Sequence, residues 1–76
     1  MRHAREDYNR IQDPAGLIPE DEPVFLLRAQ DENAAALVYL WAEMAERGGV
    51  DPVMIRLADA QAKKMRAWRK HKKPDL

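Results

Sequence analysis

Leu37, Leu40, Trp41, Met44 and Ala45 recur at i, i+3, i+4, i+7 and i+8. That spacing sets side chains along one face of an α-helix. Three alanines, Ala34 to Ala36, lead into the stripe, and Gly48-Gly49 closes it with backbone suited to a helix end. The pattern predicts a helix over 32–47 whose stripe is its buried face. Asp51-Pro52 then joins a favoured N-cap residue to a favoured first helical residue. A second helix over 52–70 is predicted, with Met54, Leu57, Ala58, Gln61, Met65 and Trp68 at spacings of three and four. The short connection makes the two an antiparallel hairpin. Trp41 and Trp68 read as core of the hairpin or of a dimer seam, and Met44, Met54 and Met65 as fillers of core gaps.

Upstream, Pro23-Val24-Phe25-Leu26-Leu27 continues the apolar character until Arg28, Gln30, Asp31 and Asn33 interrupt it. A short helix over 23–30 followed by a bend fits this pattern, with Asp31 capping the first long helix. A buried strand over 24–28 is the alternative, but one strand without a partner leaves its backbone groups unpaired. Residues 1–20 read as an N-terminal arm and 21–76 as the hairpin domain. The arm turns at Asp13-Pro14-Ala15-Gly16 and stops again at Pro19. Tyr8, Ile11, Leu17 and Ile18 are expected to anchor it on the helices, leaving Arg5, Asn9, Arg10 and Gln12 to solvent or ligand. Lys72, Lys73 and Pro74 mark a frayed tail.

The fold class is therefore all-α: a helical hairpin preceded by an extended arm and a short helix. Its stability needs support, because a chain of about 60 residues buries only ~60% of its unfolded surface. The 76 residues include no cysteine, and His3 and His71 stand near opposite ends, so neither a disulfide nor a recognisable metal cluster supplies it. Self-association is the remaining common route. Val38 and Tyr39 lie off the Leu37-Trp41-Met44 stripe, which suits a homo-oligomer, most simply a dimer forming a four-helix bundle. No apolar run approaches the roughly 18 residues that cross a bilayer, and the charged start Met1-Arg2-His3-Ala4-Arg5 does not read as a signal peptide. The expected setting is the cytoplasm.

A formal net charge of zero conceals a polarised chain. Residues 13–59 carry ten acids against three arginines, a balance of minus 7, while residues 60–76 carry seven bases against Asp75, a balance of plus 6. On the second helix Arg56, Asp59, Lys63, Arg66, Lys70 and Lys73 make a mainly basic outer face. Glu32, Glu43 and Glu46 on the first helix can match that face, and a phosphate-binding surface beside Trp68 is the other reading.

The chain contains no serine, threonine or cysteine, which removes the usual hydroxyl and thiol nucleophiles. Acidic pairs such as Glu20 with Glu22 or Glu43 with Glu46 read as solvated charges near helix ends. No catalytic residue, cofactor or metal ligand is assigned, and the expectation is a protein that binds rather than catalyses. The candidate ligand-binding set is Tyr8, Arg10, Arg28, Gln30 and Asp31. A guanidinium holds phosphate bidentately, a carboxamide and a carboxylate read base or ribose donors, and an aromatic ring stacks. A bend held by an Arg28–Asp31 pair is the structural alternative.

Tyr8-Asn9-Arg10-Ile11-Gln12-Asp13-Pro14, the run from Asp21 to Asp31, and Met65-Arg66-Ala67-Trp68 with Lys72-Lys73-Pro74-Asp75 resemble segments of small phage and prophage proteins of unassigned function. The resemblance spans most of the chain and implies a setting rather than a site: viral accessory proteins that neutralise host machinery. Three partners follow as expectations. The first is a nucleotide-derived host defence signal, sequestered by an oligomer. The second is a host defence enzyme, inhibited in an anti-CRISPR-like way. The third and weakest is nucleic acid on the basic second helix.

Overall fold

The structure is a computed structural model that describes residues 2–10 and 13–75, with the side chains of Arg2, Asn9 and Arg10 outside its description. Helix α1 spans Ala34–Arg47 and helix α2 spans Pro52–Ala67, and the two pack against each other as a hairpin. Their junction follows from its residues. The N–H of Val50 donates to Ala45 O at 3.0 Å and that of Gly49 to Glu46 O at 3.1 Å, with Gly49 at φ 79. This is a complete Schellman ending, and only glycine takes that φ without strain. Asp51 then accepts the N–H of Val53 at 2.9 Å, with Pro52 in the first turn.

Each helix is shorter than its spacing predicts. Asp31 does not cap α1; its Oδ1 accepts the N–H of Asn33 at 2.8 Å and closes a turn ahead of the helix, so Asn33 becomes the N-cap. Helix α2 ends three residues before Lys70, where Trp68 turns to extended backbone with ψ 133.

The predicted short helix over 23–30 is absent. Pro23–Val24 is instead a strand, β2, paired in parallel with β1, Arg2–His3, in the register Arg2 to Pro23 and His3 to Val24. The missing partner of that strand is the start of the chain itself, and residues 4–22 supply the crossover that a parallel pair needs. These two-residue strands do not change the all-α class. Between them lie a 3-10 helix at Glu6–Arg10 and the predicted turn at Asp13, whose carbonyl accepts Gly16 N–H at 3.0 Å and whose carboxylate accepts Leu17 and Ile18 N–H at 3.2 and 2.8 Å.

The described elements of the arm do not anchor on the helices. Neither strand nor the 3-10 helix packs against α1 or α2, and Leu17 is 80% exposed. Ile11 and Gln12 lie outside the described residues. The arm meets the loop before α1 through β1 and β2, and the end of the chain is tied to the same loop. Lys72 N–H donates to Gln30 O at 2.7 Å, and Glu32 N–H donates to Lys72 O at 3.0 Å. The predicted frayed tail is thus tied into the loop before α1.

The largest correction concerns the core. Both helices meet along a 3-4-3 seam, Ala35, Val38, Ala42 and Ala45 against Ile55, Ala58, Ala62 and Met65, all buried or half-buried. Leu37, Leu40, Trp41 and Met44 of the predicted stripe are exposed, as are Met54, Leu57 and Trp68. Small residues let the backbones approach closely, and the large side chains are left one position off the seam. No described helix is long and apolar enough to cross a membrane.

Candidate functional site

Four of the five residues assigned to ligand binding line one cleft. Tyr8, Arg28, Gln30 and Asp31 surround a space of about 150 Å3 with Phe25, Leu26, Pro74 and Asp75. The cleft lies where arm, pre-helix loop and tail converge. Arg10 ends the 3-10 helix, and its side chain lies outside the described part of the structure.

Tyr8 holds the site together. Its hydroxyl accepts Arg28 Nη1 at 2.9 Å and Arg5 Nη1 at 3.2 Å. The Arg5 guanidinium also lies 4.5 Å from the ring centroid, that of Arg28 5.9 Å, and His3 meets the ring edge-on at 6.3 Å. Two cations on its π-system and two donors on its oxygen give Tyr8 a fixed position. Its role is to place guanidinium groups, where the sequence suggests stacking on a base.

Arg5, which the sequence left to solvent or ligand outside the candidate set, joins the site. Its Nε and Nη2 bind Asp7 at 3.0 and 2.7 Å, a fork-to-fork pair, and its Nη1 lies 3.9 Å from Asp75 Oδ1. The bond to Asp7 pushes the Arg5 pKa up despite desolvation. The signal is present in Arg5-Glu6-Asp7-Tyr8, where one turn of helix brings guanidinium, carboxylate and phenol together.

Arg28 differs from Arg5. Among the described residues no carboxylate lies within ion-pair distance of it, so the Arg28–Asp31 pair that could have held the bend is not formed. The bend is held by backbone, with Asp31 N–H on Arg28 O at 2.9 Å. Arg28 retains donors that face the cleft, a guanidinium fixed by Tyr8 and available to an anion. The same Arg28 and Gln30 border an open groove of about 480 Å3 with Ala29, Trp68 and Lys70. Cleft and groove share these two residues as lining, and the groove alone lies within the ~300–1,000 Å3 of ordinary ligand sites.

Asp75 displays the field of this corner. Its carboxyl is held below the usual carboxylate range, first by a 2.8 Å hydrogen bond from Lys72 Nζ and then by the charges of Lys72, Arg5 and Arg28, against some desolvation. A depressed pKa means that its attachment is in place above the ordinary carboxylate range and is lost as pH falls through and below it. Below about pH 4 the side-chain contacts of Asp75 should loosen first. NMR checks this: the Asp75 carboxyl resonance should titrate below the ordinary carboxylate range, while protection at Glu32, which rests on its backbone bond to Lys72 O, persists.

No cluster of three His, Cys, Asp or Glu suited to a metal occurs among the described residues. Comparison with protein families, curated proteins and solved structures finds no match for this chain.

Proposed function

We propose that the chain is a non-enzymatic, phage-type accessory protein that sequesters a nucleotide-derived host defence signal. The observation that carries this reading is the Arg28 guanidinium. It is fixed by the Tyr8 hydroxyl at 2.9 Å, lines the cleft, and has no carboxylate within ion-pair distance among the described residues, with Asp75 near enough to feel only its charge. Phosphate suits that group because two parallel N–H donors match two of its oxygens. The Gln30 side chain makes no hydrogen bond among the described residues, and Asp31 spends one oxygen on Asn33, so amide and carboxylate remain for base or ribose donors. Trp68, exposed beside Lys70 in the adjoining groove, takes the stacking role in place of Tyr8. Every step in this reading is binding, and none requires a nucleophile.

Calorimetric titration of linear nucleotides, cyclic nucleotides and short single-stranded oligonucleotides tests it. One nucleotide class should saturate the wild type. Arg28→Ala should weaken that binding about 10- to 100-fold, the effect of losing a charge-assisted contact worth roughly 1.5–3 kcal/mol. Unchanged affinity in folded Arg28→Ala removes Arg28 from the site. Preference for oligonucleotides transfers the function to nucleic acid, and no binding at all transfers it to inhibition of a host defence enzyme.

A further inference from the structure

Helical phase separates the two sides of the hairpin. On α1, Leu37, Trp41 and Met44 each precede a seam residue, namely Val38, Ala42 and Ala45. On α2, Met54 and Leu57 likewise precede Ile55 and Ala58. One residue is about 100° of rotation, and in an antiparallel pair the same rotation from the seam brings both sets to the same side. The opposite side confirms this phase. Tyr39 and Arg66 each follow a seam residue, and the Arg66 guanidinium lies 4.9 Å from the Tyr39 ring centroid, across the two helices. One side of the hairpin therefore carries Tyr39, Glu43, Glu46, Arg56, Lys63 and Arg66. The other carries Leu37, Trp41, Met44, Met54 and Leu57, with Leu40 at its outer edge and the uncharged Gln61 leading to Lys64 at its end.

That apolar side is uncovered. The arm's elements do not pack on either helix, and the molecule measures only 18 Å along its shortest axis, a single helical layer. Trp41 is 53% exposed and Leu57 62%. Leu37, Leu40, Trp41, Met44, Met54 and Leu57 together leave roughly 700 Å2 open, near the ~800 Å2 that each partner contributes to a standard interface.

We infer that this face is covered by the same face of a second copy, in a two-fold four-helix bundle. The inference does not depend on what the Arg28 cleft binds. A self-complementary contact sets every residue opposite its own kind, so it tolerates no central charge, and this patch has none. The charges are gathered on the opposite side, and the net charge of zero leaves no long-range repulsion between copies. Need points the same way. Within one chain the buried apolar residues of the described part are Ala34, Ala42, Ala62 and Met65, too little for an independent core, whereas pairing adds a second interior built from the largest side chains.

Sedimentation equilibrium should give twice the 8.8 kDa chain mass at micromolar concentration. Trp41→Glu and Leu57→Glu should each weaken association ~30-fold or more, the scale of central interface positions, while Lys63→Glu on the charged side leaves it unchanged. A folded wild-type monomer, a larger assembly, or a dimer that persists through both glutamates overturns the proposal. Where the glutamate variants fail to fold, Trp68→Phe keeps the question answerable, because Trp41 is then the remaining tryptophan. Its emission should shift to the red on dilution; emission typical of water at every concentration, with helicity intact, overturns the seating of Trp41 in the interface.

Discussion

Met65→Ala should destabilise the protein by about 2–5 kcal/mol, the usual cost of truncating a buried methionine. Met65 is 8% exposed and the only large side chain among the buried residues of the described part. It ends the seam opposite Ala35, where alanine neighbours cannot grow to fill the space that it leaves. A single core in a chain of this size supplies roughly 3–5 kcal/mol at best, so this one truncation should unfold most of the population. Urea unfolding followed by far-UV circular dichroism reads the loss. Leu17→Ala is the control: with its side chain 80% exposed on the arm, the change should stay within about 0.5 kcal/mol. Equal costs for the two would show that the seam is not where stability resides.

The seam also explains what the sequence could and could not reveal. Gly48-Gly49-Val50-Asp51-Pro52 carries its geometry locally, through a glycine φ, a carboxylate cap and a proline, and each does what those residues dictate. The helix faces are equally legible as faces. Which face turns inward is not local information. Large apolar spacing marks Leu37, Trp41 and Met44 for burial, yet two helices in one layer close on the small residues beside them and leave the large ones for another surface. Trp41→Ala in an isolated chain should accordingly cost far less than the ~3–5 kcal/mol of a buried tryptophan.

Strand β2 was legible only as an alternative to the short helix, because its partner was not legible. Its partner is two residues at the far end of the arm, and pairs that short carry no alternation to read. At the site, Arg28, Gln30 and Asp31 were legible because polar groups broke an apolar run, and Tyr8 because an aromatic stood among arginines. Asp75 was not legible, since its place depends on a tail held by backbone hydrogen bonds that any residue but proline at position 72 would permit.

That backbone tie yields the second large effect. Lys72→Pro removes the N–H that reaches Gln30 O at 2.7 Å and restrains His71 as well, while leaving the carbonyl that accepts Glu32 N–H. One hydrogen bond is worth roughly 1 kcal/mol net, and a carbonyl left without its partner in a half-buried loop costs about 1–3 kcal/mol. Ending the chain at His71 removes both bonds together with the Lys72–Asp75 pair, so roughly 2–3 kcal/mol should be lost at the junction. Lys72→Ala keeps both backbone bonds and sacrifices only an exposed ion pair, for which less than about 1 kcal/mol is expected. Hydrogen exchange separates the three variants. Protection at Glu32 should persist in Lys72→Ala, weaken in Lys72→Pro and vanish in the shortened chain, while the α1–α2 seam stays protected in all of them. Because Gln30 and Asp31 sit on the strand of loop that Lys72 holds, ligand affinity should fall in the same order. A shortened chain with full Glu32 protection would mean that the loop before α1 stands without the tail, and the cleft would then owe its shape to Tyr8 and the arginines alone.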